Sequence, residues 1–170
     1  MTPVDTIVLL VAAVACAIDL RVRRIPNRLT FGAAAAGLLY HTMTGGASGL
    51  LAAASGWVIG GAIFFLPFAL GGLGAGDIKL LAALGAWLGP SDTVWLSLFT
   101  GVAGGVLAVG VSLFHGYLRE ALRNVWMLLM HWRVAGIRPL PELTLEAQRG
   151  PKLAYGVAVL AGTVVTLWAH

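Results

Sequence analysis

Six apolar stretches separated by short polar loops are the feature that most constrains this chain. They lie at residues 4–20, 29–44, 49–70, 77–90, 93–115 and 153–169. Most approach the roughly 20 apolar residues that an α-helix needs to cross the hydrocarbon core of a bilayer. Only 11% of the residues are charged, against about a quarter in soluble domains. The sequence therefore predicts an all-α, polytopic membrane protein, a single bundle of six transmembrane helices that forms one membrane-embedded domain over residues 1–170.

The basic residues indicate how these helices are oriented. With the N-terminus outside, all 11 Lys and Arg residues fall in the loops at 21–28, 71–76 and 116–152 or at the helix ends beside them. The opposite orientation places every positive charge on the translocated side, against the positive-inside rule. The first stretch is expected to be a retained helix rather than a signal peptide, because its basic residues follow the apolar run. We therefore expect both termini outside and these three loops in the cytoplasm.

Charge, cysteine and histidine patterns disfavour several classes of function. The net charge of +4 is spread among the loops and forms no basic stripe with stacking aromatic residues, so we expect no nucleic-acid partner. A single cysteine, Cys16, supplies neither a disulfide framework nor a Cys-x-x-Cys metal site. The four histidines lie on different segments, with no pair at ligand spacing on one helix. We expect no metal and no cofactor.

The stretch between Arg119 and Arg133 has two open interpretations. Apolar residues recur there at helical spacing, which is typical of an amphipathic helix lying on the membrane surface; they are Leu118, Leu122, Val125, Leu129 and Trp132. The run at 126–130 is apolar on all faces and fits an inward extension of the fifth helix equally well. The following segment, 137–151, contains three prolines and is predicted to be an irregular loop.

Two aspartates lie at the ends of predicted spans, where a carboxylate is costly unless it faces a wet cavity or a partner. Asp19 closes the first span and Asp77 opens the fourth. Since the first helix runs inward and the fourth runs outward, both carboxylates are expected at the cytoplasmic boundary. Two close carboxyl groups can share one proton, so that one acts as a base toward water and the other as an acid toward the leaving amine. Asp19 and Asp77 are therefore the candidate catalytic residues of a peptide hydrolase.

Each aspartate also has a structural interpretation. Asp19 can pair with Arg23 or Arg24 at the next turn, and Asp77 can cap a helix. The helix ends suggest a difference between the two acids, because a helix N-terminus favours the ionised form of a carboxyl group and a C-terminus disfavours it. Asp77 is accordingly predicted to hold the negative charge at rest.

A glycine-rich segment at residues 71–76 directly precedes Asp77. Glycine permits close backbone approach and positive φ angles, so Gly74 and Gly76 are predicted substrate-binding residues that let an extended peptide pair with the loop. A plain glycine-rich turn is the alternative. Tyr155 is a further candidate for substrate contact, although an interfacial aromatic residue fits its position equally well. Asn27, after the turn at Pro26, is expected to cap the second helix.

Three motifs resemble those of the type IV prepilin peptidases, membrane aspartyl proteases with a GxGD motif. They are Asp19 followed by Arg-Ile-Pro-Asn at 24–27, Gly-Ala-Gly-Asp-Ile-Lys-Leu at 74–80, and a looser Pro-Lys-Leu-Ala-Tyr-Gly at 151–156. The resemblance implies that Asp19 and Asp77 are the catalytic pair. It also implies that the substrates are prepilin and pseudopilin precursors, cut after a glycine and before an apolar helix at the cytoplasmic face of the bacterial inner membrane.

The chain departs from the larger members of that family, which carry a cytoplasmic insertion with paired Cys-x-x-Cys motifs and methylate the new N-terminus. Cys16 alone does not supply such motifs, and residues 21–28 leave no room for the insertion. The short form resembles the peptidases of tight-adherence (Flp) pilus systems, which implies cleavage without methylation. Two alternatives stay open: a small proton-coupled membrane transporter, and a non-catalytic subunit of a pilus or secretion assembly.

Overall fold

The computed structural model describes residues 2–136 and 153–169. These residues form helices and the turns between them: α1 (Pro3–Val22), α2 (Asn27–Ala69), α3 (Ala75–Phe114), α4 (Leu118–Ala135) and α5 (Tyr155–Ala169). The all-helical prediction is confirmed. The irregular loop predicted at 137–151 lies outside the described residues.

Helix α2 is interrupted at a glycine, where the chain folds back. Gly46 has a φ of 58° and a ψ of −140°, which glycine adopts without the steric cost that other residues incur. A Cβ atom built on Gly49 would overlap the carbonyl oxygen of His41, although residues eight apart in a continuous helix are separated by about 12 Å. The parts of α2 before and after Gly46 therefore run antiparallel.

Helix α3 has the same construction. Gly89 has a φ of 75° and a ψ of −178°, and Pro90 follows it and provides no backbone N–H. Beyond the break, the Thr93 hydroxyl lies 3.5 Å from the carbonyl oxygen of Gly85, again eight residues away. The parts of α3 before and after Gly89 also run antiparallel.

By length and composition, α1, α2 and α3 are long and apolar enough to cross a membrane, and α5 is a shorter apolar helix. The six predicted spans do not correspond to six helices in the described residues. The spans predicted at 29–44 and 49–70 fall on α2, which ends one residue earlier, and those at 77–90 and 93–115 fall on α3, which also ends one residue earlier; a single glycine separates the two parts of each long helix. The number of crossings and the side on which the termini lie stay predictions.

Helix α4 is a separate helix, so the interpretation of this stretch as an extension of the preceding helix is wrong. Helix α3 ends at Phe114, and a turn containing Gly116, with a φ of 66°, precedes α4. Apolar side chains of α4, among them Leu122, Val125 and Leu129, are exposed. A position on the membrane surface stays a prediction.

Close helix contacts set the register of the bundle. A Cβ atom on Gly60 of α2 would lie only 2.6 Å from the carbonyl oxygen of Leu81 in α3, the kind of approach that small residues permit between membrane helices. The indole N–H of Trp87 in α3 donates to the Ala33 carbonyl oxygen in α2 at 2.8 Å. Together with a bond between Asn27 and Lys79, these contacts place the starts of α2 and α3 at the same end of the molecule.

Candidate active site

A cavity of about 380 Å³ lies where α1 ends and where α2 and α3 begin. We call it the acid cavity. It is lined by both predicted catalytic residues, the connection between α1 and α2 and the start of α3: Asp19, Arg23, Arg24, Ile25, Asn27, Gly74, Ala75, Gly76, Asp77 and Lys79. Its volume lies within the range of roughly 300–1,000 Å³ that is usual for ligand sites. Two acids that are 58 positions apart in the sequence thus face one cavity.

Asp19 is buried at the end of α1, where α5 holds it. Its exposed fraction is 7%, and its Oδ2 atom accepts the backbone N–H of Gly156 at 3.0 Å. Gly156 is the second residue of α5, and N–H groups in the first turn of a helix have no partner within that helix. The carboxylate of Asp19 therefore satisfies a free donor of α5. A Cβ atom on Gly156 would lie 3.1 Å from the Cβ atom of Asp19, so glycine allows this approach.

Asp77 lies in the first turn of α3 and is half-buried. The helix begins two residues earlier, at Ala75, and the Oδ2 atom of Asp77 accepts the backbone N–H of Gly74 at 3.2 Å. Gly74 occupies the cap position of α3, and Asp77, at the third position of the helix, bonds back to it as the acid of a capping box does. Asp77 therefore stabilises the helix end without being the cap residue. Because Asp77 also lines the acid cavity, this bond fixes the position of the acid without removing it from a site where it can react.

The helix ends act on Asp19 in two opposite ways. Asp19 lies in the last turn of α1, which disfavours its ionised form, but it also accepts an N–H group from the start of α5, which favours that form. Asp77 lies only at the start of a helix, α3. That Asp77 holds the negative charge at rest stays a prediction.

Gly74 and Gly76 both line the acid cavity, but their close contacts are within the protein. Gly74 is extended, with a φ of −82°, and a Cβ atom on it would lie 3.1 Å from Oδ2 of Asp77. A Cβ atom on Gly76 would lie 3.2 Å from the Cβ atom of Ile25. The positive φ angle in this segment occurs at Gly71, at 78°. Contact of Gly74 and Gly76 with a substrate stays a prediction.

The structure does not bring Tyr155 to the lining of the acid cavity. Its ring packs against Phe64, with the ring centroids 6.2 Å apart, and a Cβ atom on Gly104 would lie 2.7 Å from it. These contacts favour the packing interpretation of Tyr155. The contact of this motif with a candidate catalytic residue comes instead from the next residue, Gly156, whose N–H group donates to Asp19.

Asn27 does not cap α2, so that prediction is wrong. Pro26 occupies the cap position and makes no side-chain bond there. The Oδ1 atom of Asn27 instead accepts a hydrogen bond from Nζ of Lys79 at 2.9 Å. The same ammonium group lies 5.5 Å from the centroid of the Phe31 ring. The Asn27 side chain therefore bonds to the ammonium group of Lys79 in α3 instead of capping its own helix.

The acid cavity has the groups that hydrolysis requires. One carboxylate can accept a proton from water while a neighbouring protonated carboxyl group donates to a leaving group. Within residues 2–136 and 153–169, no three His, Cys, Asp or Glu side chains are grouped so that they could hold a metal ion.

Comparison with known proteins connects this site to a family. The sequence matches the type IV leader peptidase family over residues 6–109. It is 28% identical over 159 residues to a prepilin leader peptidase/N-methyltransferase of Aeromonas hydrophila, a match that covers 89% of this chain and 47% of that protein. It is 35% identical over 109 residues to a protein of the same name from Burkholderia pseudomallei strain 1026b, covering 61% of this chain and 35% of the other.

The chain spans less than half the length of these curated relatives. No solved structure matches it. The family match includes Asp19, Asp77 and the glycine-rich segment, and it covers more than half of the chain. The resemblance that the motifs indicated is confirmed, and the chain belongs to the type IV leader peptidase family.

Proposed function

We propose that this protein is a membrane aspartyl endopeptidase that removes the leader peptide of type IV prepilins or pseudopilins. The observation that carries the proposal is the acid cavity, in which Asp19 from α1 and Asp77 from α3 face the same space. Membership of a leader peptidase family supports a peptidase. Prepilin substrates are supported by the names of the relatives.

The two carboxyl groups would divide the chemistry between them. The ionised one accepts a proton from water as the water oxygen bonds to the carbonyl carbon of the cleaved peptide bond. The protonated one then donates its proton to the amide nitrogen as the carbon–nitrogen bond breaks. The N–H groups of Gly156 and Gly74 hold Oδ2 of Asp19 and of Asp77 in place. No cofactor takes part in these steps.

We also propose that the chain crosses the bacterial inner membrane six times, with the acid cavity at the cytoplasmic side. A straight α2 of 43 residues would extend about 65 Å, roughly twice the 30 Å thickness of the hydrocarbon core. Antiparallel segments on either side of Gly46 and Gly89 fit two crossings for each long helix. Arg23 and Arg24 at the acid cavity fit the cytoplasmic side under the positive-inside rule.

Cleavage is proposed to occur without N-methylation, on precursors of the Flp type. The connection between α1 and α2 supports this, because only residues 23–26 join the two helices, too few for an insertion with paired Cys-x-x-Cys motifs. The test is the mass of the mature pilin after cleavage with S-adenosylmethionine supplied. We expect an unmodified N-terminus, and the mass of one added methyl group would contradict the proposal.

The peptidase assignment is tested by coexpressing the protein with a prepilin precursor and following the size of the precursor. We expect Asp19→Asn and Asp77→Asn to abolish shortening, because each removes one carboxyl group of the pair. Asp92→Asn is the matched control, since Asp92 lies beyond the Gly89 break in the same helix, outside the acid cavity. Shortening that persists in both acid-cavity variants would favour a non-catalytic assembly subunit.

A further inference from the structure

A second cavity lies beside the acid cavity and shares one residue with it. Its volume is about 330 Å³, and its lining is almost entirely apolar. We call it the apolar groove; its lining includes Phe31, Trp57, Gly61, Phe65, Ile78 and Lys79. Lys79 borders both cavities, and Ile78 directly follows Asp77. The apolar groove therefore begins within one helical turn of Asp77 along α3.

The groove leads away from the carboxylates along α3. Gly56 of α2 lies against Gly85 of α3, which is eight residues beyond Asp77. Trp57, at the far part of the groove, is thus about 12 Å from the level of Asp77 along the helix axis. Two helical turns span about 11 Å. The groove is therefore long enough for roughly two turns of a bound helix or for a shorter extended segment.

We infer that the apolar groove binds an apolar segment of the substrate adjacent to the bond that is cleaved. The inference rests on the proposed function. Consider a peptide whose cleaved bond lies between Asp19 and Asp77 and whose chain continues past Lys79. That chain leaves the polar acid cavity and enters the apolar groove, so the peptide must change from polar to apolar residues at that point. The aromatic side chains of Phe31, Trp57 and Phe65 are 53%, 41% and 60% exposed and would be covered by such a segment.

A lipid chain is the competing occupant, because it gains the same burial from the groove. The two occupants differ in their relation to the carboxylates. Only a substrate segment is connected to the reacting bond, and the common border of the two cavities at Lys79 favours it. A lipid chain gives no reason for the groove to begin at the acid cavity.

The kinetic test fills the groove at Gly61. A Cβ atom on Gly61 would lie 3.7 Å from the Cβ atom of Ala82, an ordinary contact, so Gly61→Leu adds its side chain to the groove without backbone overlap. For a full precursor we expect KM to rise about tenfold or more, the effect of losing the burial of one large apolar side chain. For a short soluble peptide that spans the cleavage site without the apolar segment, KM and kcat are expected to stay unchanged.

Gly101→Leu is the matched control, because a Cβ atom on Gly101 of α3 meets nothing within 4 Å and Gly101 does not line the groove. Equal KM values for Gly61→Leu and Gly101→Leu with the full precursor would overturn the inference. So would an equal loss of kcat with both substrates, since that result would place the effect on the carboxylates. Ala62→Leu, at an exposed groove position, replaces Gly61→Leu if the latter does not fold.

Crosslinking separates this inference from the proposed function. A photoreactive p-benzoylphenylalanine replaces Phe65 in the groove or, as a control, the exposed Val106 of α3, in an Asp77→Asn background. For a precursor that the wild-type protein cleaves, we expect crosslinks from position 65 and not from position 106. Cleavage by wild type together with crosslinks from position 65 to lipid alone would overturn the inference and leave the proposed function intact. A precursor that wild type never cleaves would overturn the proposed function and the inference that rests on it.

Discussion

At the scale of single residues, backbone N–H groups position the two carboxylates, and glycines make this possible. Gly156 allows the start of α5 to approach Asp19. Gly74, directly before α3, donates its own N–H group to the carboxylate of Asp77 in the first turn of that helix. A carboxylate that accepts an N–H group loses freedom of orientation, and accurate orientation lowers the barrier to reaction. We therefore propose that these glycines are positioning residues.

Gly156→Ala is expected to lower the rate of precursor cleavage by roughly tenfold to a hundredfold, because small displacements of reacting groups have effects of this size. The added Cβ atom would lie 3.1 Å from Oδ2 of Asp19 and 3.2 Å from Cα of Cys16, so α5 or the carboxylate must shift. The measurement is kcat on one precursor for Gly156→Ala and Gly101→Ala. Similar values for the two variants would contradict the positioning role.

The sequence predicted that Asp19 and Asp77 share a site, but not which groups bind their carboxylates. Asp19 and Asp77 were predictable because carboxylates at the ends of apolar spans are rare and costly. The bond between Gly156 and Asp19 joins residues 137 positions apart, and no local pattern encodes that pairing. The cap predicted for Asn27 was wrong for a related reason: local spacing indicated the cap, whereas the partner, Lys79, lies 52 positions away.

At the scale of elements, the packing of α5 against α3 determines where Gly156 lies. A Cβ atom on Gly162 of α5 would overlap Oγ1 of Thr100 in α3, so the two helices are in direct contact there. Thr100 is fully buried. Within α5, Thr163 and Thr166 donate to carbonyl oxygens of their own helix, which satisfies polar groups that would otherwise oppose burial. The contact at Gly162 therefore supports the contact at Asp19.

Gly162→Ala is expected to destabilise the protein by about 1–3 kcal/mol, the usual effect of overpacking a tight core. The added methyl group has backbone atoms of Thr100 beside it, with its amide nitrogen at 2.7 Å, so rotation of a side chain does not relieve the overlap. The measurement is thermal unfolding in detergent. Gly105→Ala is the control, because a Cβ atom on Gly105 meets nothing within 4 Å. An equal Tm for the two variants would show that α3 and α5 are not in close contact at this point.

At the scale of the whole molecule, hydropathy predicted the all-helical class and located both breaks approximately. Gly46 lies between the predicted spans 29–44 and 49–70, and Gly89 lies at the end of the span 77–90. The helix count differed because each reversal occupies a single glycine with positive φ, so helical structure continues directly on both sides of it and two predicted spans form one long, interrupted helix. The reversal of the chain at each break agrees with successive spans that run in opposite directions, and contacts between residues eight positions apart show it.

Six crossings with the acid cavity in the cytoplasm predict an alternating pattern of labelling by a membrane-impermeant maleimide. Cys16 is buried, and Cys16→Ala provides a background in which single cysteines replace exposed residues. Cysteines at Gly45 and Ser91 are expected to react in intact cells. Cysteines at Val22 and Leu122 are expected to react only after permeabilisation, because they lie at or near the end that carries the acid cavity.

Two other labelling patterns would contradict six crossings or the proposed orientation. If α2 crossed the membrane once as a straight helix, Gly45 would lie near the middle of its 43 residues and would remain unlabelled even in permeabilised cells, since maleimides need a thiolate in water. If the pattern were inverted, Asp19 and Asp77 would face the outside, where a precursor that is still in the cytoplasm does not reach them. Only labelling of Gly45 and Ser91 in intact cells, with Val22 and Leu122 protected, is consistent with cleavage at the cytoplasmic face.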